Sequence, residues 1–142
     1  MKTTFTIRHI EDLQPFVRTL LPSLTLGTLV TLSGPLGVGK TTLVQVIAKQ
    51  LGIQSRIISP TFTIMKTYLL PRFNGRLLHV DAYRLENSPS FGLEDEMGDD
   101  TITMIEWPEK LMTLPSAKHT IRLNMKLTKE DHRLIEMEVF HS

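Results

Sequence analysis

Gly34, Gly37, Gly39, Lys40 and Thr41 fall in the order G-x-x-x-x-G-K-[ST], spelled Gly34-Pro35-Leu36-Gly37-Val38-Gly39-Lys40-Thr41. Residues of these types at this spacing can hold phosphate. Glycines let the backbone approach a ligand that a side chain would keep away. The loop N–H groups, with Val38 among them, and the following helix N-terminus turn positive dipole ends toward an anion. Lys40 is placed to reach β- and γ-phosphates, and the Thr41 hydroxyl to ligate Mg²⁺. Thr42 is either an α-phosphate contact or a polar residue of a first helical turn. Lys40 itself reads as a surface-loop residue.

Such a loop needs a strand before it and a helix after it. Leu29, Val30 and Leu32 supply an apolar, β-prone run. Leu43, Val44, Ile47, Ala48 and Leu51 recur at helical spacing, with Gly52 as a stop. Two acids then stand out, because each ends an apolar run. Asp81 follows Leu77-Leu78-His79-Val80, and Glu106 follows Ile102-Thr103-Met104-Ile105. In open α/β sheets the ligand lies at the carboxyl ends of the strands, so both belong near the phosphates. A carboxylate there can hold Mg²⁺ or position an attacking water. An acid at a strand end can equally begin a turn; two of them with a phosphate loop point to a site. His79, Asp81 and Tyr83 share one strand face at period two, and His79 reads as a partly exposed strand residue. Trp107 adjoins Glu106 and either packs or flanks the site. Tyr83 and Arg84 contact a partner or a phosphate, or simply pack.

The rest of the chain supplies a frame. Lys2 to Arg8 alternates like a strand, and Glu11 to Leu21 reads as a helix with Pro15 in its first turn. Pro60 holds Ser59 extended, which puts Ser59 and Thr61 in a polar corner. Ile64 to Leu70 and Arg76 to Tyr83 read as strands across the Asn74-Gly75 turn. Asn87 to Asp100 is acidic and the least regular stretch; its Glu94-Asp95-Glu96 run reads as solvated surface. Thr120 to Leu127 and His132 to Phe140 form a hairpin. The expected fold is α/β, a single-domain P-loop NTPase over residues 1–142. Its central sheet is mixed and mainly parallel, with a C-terminal hairpin.

Composition bounds what else is possible. The chain of 142 residues is 41% hydrophobic and 22% charged with a net charge of +1, so no global basic field recruits nucleic acid. It has no cysteine, which excludes disulfides and thiolate catalysis. No apolar run is long enough to span a bilayer, and the N-terminus lacks the apolar core of a secretory signal. No membrane partner is expected, and the expected compartment is cytoplasmic.

Four blocks occur in order: the phosphate loop through Thr42, Ser59-Pro60-Thr61-Phe62-Thr63, His79-Val80-Asp81-Ala82-Tyr83-Arg84-Leu85 and Ile105-Glu106-Trp107-Pro108-Glu109. Together they resemble the TsaE (YjeE) family, the bacterial ATPases of tRNA threonylcarbamoyladenosine biosynthesis. The resemblance implies a small ATPase that uses ATP and Mg²⁺. It would act on a complex of TsaB and TsaD and meet tRNA only through that complex. It implies that Lys40 and the loop bind phosphates, that Thr41 and Glu106 hold Mg²⁺, and that Asp81 activates water or orients the metal. Ser59 and Thr61 resemble a nucleotide-sensing segment, Trp107 flanks the site, and Arg133 in the hairpin is a candidate nucleotide contact. Pro35, Val38 and Glu96-Met97 depart from the family pattern without removing a phosphate ligand. A small-molecule kinase and a non-catalytic ATP-dependent switch are the alternatives. The first would need an arginine-bearing lid, and Asn87 to Asp100 has no Lys or Arg.

Overall fold

The apolar runs form one seven-stranded sheet in the computed structural model, which describes residues 2–58, 65–85 and 92–141. Its strands are β1 (Lys2–Ile7), β2 (Thr28–Ser33), β3 (Met65–Leu70), β4 (Gly75–Asp81), β5 (Thr101–Glu106), β6 (His119–Leu127) and β7 (Arg133–His141). They lie in the order β1-β7-β6-β2-β5-β4-β3. The middle four, β6, β2, β5 and β4, run parallel to one another. The margins are antiparallel, β3 on β4, and β7 on β6 with β1 beyond it. The expected hairpin is present, and its first strand joins the parallel core. β7 then lies between β6 and β1, so its first residue, Arg133, pairs with Ile7.

The helices are α1 (Leu13–Leu20), α2 (Lys40–Gln50) and the short α3 (Leu93–Glu96). The first was expected over Glu11 to Leu21. Its α-helical part is shorter, flanked by 3-10 turns at Ile10–Asp12 and Leu21–Ser23. Pro15 is its third residue, where the missing N–H has no helical partner to lose. α2 stops as its sequence demands. Gly52 takes φ +92°, its N–H reaches the Lys49 carbonyl at 3.1 Å, and the Ile53 N–H reaches Ala48 at 3.0 Å. That pair of bonds is a Schellman closure, which needs a residue at ease in the left-handed region.

The central strands β2, β4 and β5 are buried on both faces, which explains the near-continuous apolar runs of β2 and β5. On one face α1 and α2 cover Val30, Leu32, Leu77, Ile102, Met104, Ile121 and Leu123. On the other, Leu29, Leu78, Val80 and Ile105 pack with Leu93 and Leu111. This alternation fixes where the polar residues point. Leu77, His79 and Asp81 share the face covered by α2, as do Ile102, Met104 and Glu106. No described helix is long and apolar enough to cross a membrane.

Candidate functional site

The phosphate loop joins the end of β2 to the start of α2, and two features of the backbone keep it open. Gly34 has φ +151°, and a Cβ there would stand 2.7 Å from the Met125 carbonyl oxygen and 3.0 Å from Val38 Cγ1. Gly37 is the opposite case, since a Cβ on it would meet nothing within 4 Å. It faces open space that a phosphate can enter. Gly34→Ala is therefore expected to destabilise the fold by about 1–3 kcal/mol through overpacking. A denaturant titration measures this, and an unchanged midpoint would contradict the close approach.

Lys40 is buried, at 5% exposure, where a surface-loop residue was expected. Its Nζ donates to the Gly34 carbonyl at 2.6 Å and to the Pro35 carbonyl at 3.0 Å. It also lies 3.8 Å above the centroid of the Trp107 ring. The reason is the conformation of Trp107, whose φ of +60° turns the chain sharply after β5. Such a backbone costs a non-glycine residue about 1–2 kcal/mol. Bonds from Trp107 N–H to Leu32 at 3.1 Å and from Lys110 N–H to Trp107 at 3.0 Å hold it, with Tyr83 packed on the ring at 4.8 Å. Burial lowers the Lys40 pKa, while Glu106, Glu109 and Asp81 oppose that shift.

The two acids occupy one level of the sheet, Asp81 paired with Glu106 and Glu106 with Leu32. Thr41, in the first turn of α2, donates its hydroxyl to Glu106 Oε1 at 2.9 Å and Oε2 at 3.1 Å. Asp81 Oδ1 accepts the Tyr83 N–H at 3.0 Å. Gly37, Lys40, Thr41, Asp81, Glu106 and Trp107 line one cavity of about 350 Å³. Its hard oxygen donors suit Mg²⁺. Among the described residues no group of three or more His, Cys, Asp or Glu could hold a metal alone. A site of one or two carboxylates is what Mg²⁺ uses when phosphate oxygens complete its shell. The donor set therefore fits that ion together with a nucleotide.

His79 is the correction. It was expected to be partly exposed, but its exposure is 0% and its Nε2 lies 2.7 Å from Glu106 Oε2, within hydrogen-bond distance. The period-two face shared with Asp81 was the available signal. Across the loop lies a second cavity of about 290 Å³, lined by Arg8, His9, Val38, Thr42 and Arg133 among others. Arg133 reaches the loop itself, donating from Nε to the Val38 carbonyl at 3.2 Å. Arg8 and His9 carried no sequence signal, because this wall is assembled from both chain ends. Ser59 and Thr61 lie outside the described residues. Glu94, Asp95 and Glu96 are exposed on α3, as a solvated run should be.

The chain is similar to known proteins over most of its length. The sequence model of the family described as "Threonylcarbamoyl adenosine biosynthesis protein TsaE" matches residues 7–135. A tRNA threonylcarbamoyladenosine biosynthesis protein TsaE of Synechocystis is 45% identical over 103 residues, which span 68% of this chain and 64% of that protein. One from Rickettsia bellii is 36% identical over 128 residues, 87% of this chain and 86% of its own length. The crystal structure of Bacillus subtilis YdiB superposes with a TM-score of 0.76 at 26% identity, covering 100% of this chain and 87% of that one. With the family match running from the end of β1 into β7, the chain belongs to the TsaE family.

Proposed function

We propose that the chain is a Mg²⁺-dependent ATPase of tRNA threonylcarbamoyladenosine formation, one that drives turnover of a TsaB–TsaD complex in the cytoplasm. The observation that carries this reading is the Thr41–Glu106 pairing under the loop, with Asp81 beside it in the same cavity. The loop N–H groups and Lys40 bind the phosphates. Two of the three Lys40 donors go to the Gly34 and Pro35 carbonyls. Thr41 and Glu106, with Asp81 near them, would hold Mg²⁺, which supplies charge neutralisation at the phosphates when bound. Asp81 orients the attacking water or the metal. The cavity on the Arg133 side of the loop receives the sugar and base, with Thr42 between the two ends. Ser59 and Thr61 report the state of the nucleotide.

The transition-state charge is the part least provided for. Arg133 is engaged with Val38 and Asp131 carbonyls at 3.2 and 3.3 Å, on the side of the loop away from Asp81 and Glu106. An arginine supplied in trans can raise nucleotide hydrolysis roughly 10³–10⁵-fold. The isolated chain is accordingly expected to hydrolyse ATP slowly. Adding the TsaB–TsaD pair should raise the rate at least about tenfold, equivalent to ~1.4 kcal/mol of barrier, and either protein alone should raise it less. Phosphate release under single-component and combined conditions measures this. Fast hydrolysis by the lone chain, indifferent to the pair, would remove the basis for a partner-dependent cycle.

A further inference from the structure

We infer that His79 is a positioning residue, fixing the Glu106 carboxylate in the orientation that holds the metal. The inference rests on the reading of Glu106 as a metal-holding carboxylate. His79 sits inside β4 with its ring fully buried, on the face where Leu77 and Met104 are apolar. A carboxylate oxygen can only accept, so the 2.7 Å contact to Glu106 Oε2 places the hydrogen on His79 Nε2. The other ring nitrogen, Nδ1, is buried without a hydrogen-bond partner among the described residues. An aliphatic side chain would fill this position without that cost. Among the described residues the ring's one polar contact is therefore Glu106.

The consequence lies in how the carboxylate is pinned. Oε2 receives His79 from within the sheet at 2.7 Å, while the Thr41 hydroxyl spans both oxygens, nearer Oε1 at 2.9 Å than Oε2 at 3.1 Å. Two anchors from different elements, β4 and α2, hold the carboxylate, and Glu106 is only 3% exposed, so few waters compete for it. Without His79, the side chain keeps one anchor, Thr41, whose hydroxyl is itself required at the metal. Hydrogen-bond partners behind a metal ligand typically contribute about 10–100-fold to metal affinity. His79 exerts that effect without touching nucleotide or metal.

The test compares His79→Leu with His79→Gln. Leucine keeps apolar bulk and removes the donor; glutamine places an amide N–H near the present Nε2. Affinity for ADP in EDTA, measured by calorimetry, should stay within about threefold of wild type in both, since loop contacts remain. Mn²⁺ affinity of the ADP complex, read from the electron paramagnetic resonance of free Mn²⁺, should fall about 10–100-fold in His79→Leu and recover in His79→Gln. A fall in both variants, or in neither, overturns the proposal. Should His79→Leu not fold, His79→Asn replaces it, because its shorter amide lies where Nδ1 now stands; equal Mn²⁺ affinity in the asparagine and glutamine variants then overturns the proposal. Glu106→Gln separates this from the parent reading. If it leaves Mn²⁺ affinity at the wild-type value, Glu106 does not hold the metal and both fail. If it lowers affinity while His79→Leu does not, only the role of His79 fails.

Discussion

Lys40→Ala is expected to lower nucleotide affinity by about 100-fold or more, which corresponds to roughly 3 kcal/mol of charge-assisted hydrogen bonding. The fold should survive. The ammonium gains from the Gly34 and Pro35 carbonyls and from the Trp107 ring, but it is held at 5% exposure at the expense of its hydration. These terms oppose each other, so the melting temperature should move by only a few degrees, in line with about 1 kcal/mol. pH gives an independent check. Burial lowers the Lys40 pKa from 10.5, so the native state binds fewer protons than the unfolded chain between the two values. Across that window stability should rise with pH, while nucleotide affinity falls as the ammonium is lost. Calorimetric titrations at stepped alkaline pH, with Lys40→Ala as control, would show both slopes disappear in the variant. Wild-type affinity in a folded Lys40→Ala protein would end the phosphate-loop reading.

Much of this site was readable because its parts obey local rules. The loop spacing named Gly34, Lys40 and Thr41, and the rule that ligands gather at the carboxyl ends of parallel strands selected Asp81 and Glu106 from the chain's acids. Depth was not readable. The alternation of β4 assigned His79 a face, but burial of that face depends on the core that α2 forms against the sheet, which no local pattern encodes. Lys40 looked exposed because loops usually are. Its burial follows from a left-handed Trp107, in a stretch of sequence far along the chain. Arg133 reaches Val38 across a separation of 95 residues. It does so only because β7 inserts between β6 and β1 and starts beside the loop. The expected strands at the margins were likewise correct as strands, while their order in the sheet came from long-range pairing.

The largest loss of chemistry is expected at the two strand-end acids, and amide replacements are the cleaner way to expose it. Glu106→Ala would leave the His79 Nε2–H buried without an acceptor and the Thr41 hydroxyl without its present one. An orphaned buried donor costs about 1–3 kcal/mol, which would confuse a catalytic defect with a folding one. Glu106→Gln retains a carbonyl oxygen for one of those bonds and removes the charge that a divalent ion needs. Asp81→Asn likewise keeps an oxygen for the Tyr83 N–H, now at 3.0 Å from Oδ1, and removes the negative charge. If these carboxylates act on metal and water, each variant should lose about 10²–10⁴-fold in ATP turnover, the usual range for a positioned acid or base. Nucleotide affinity in EDTA should change by no more than about threefold, because the loop and Lys40 are untouched. The two should differ in their metal dependence. Glu106→Gln should require far more Mg²⁺ to reach its residual rate, whereas a water-directing Asp81 predicts a lower plateau at an unchanged Mg²⁺ midpoint. A shifted midpoint in Asp81→Asn would assign that residue to the metal instead. Wild-type turnover in both variants, measured on folded protein with the TsaB–TsaD pair present, would reduce Asp81 and Glu106 to acids that merely terminate their strands.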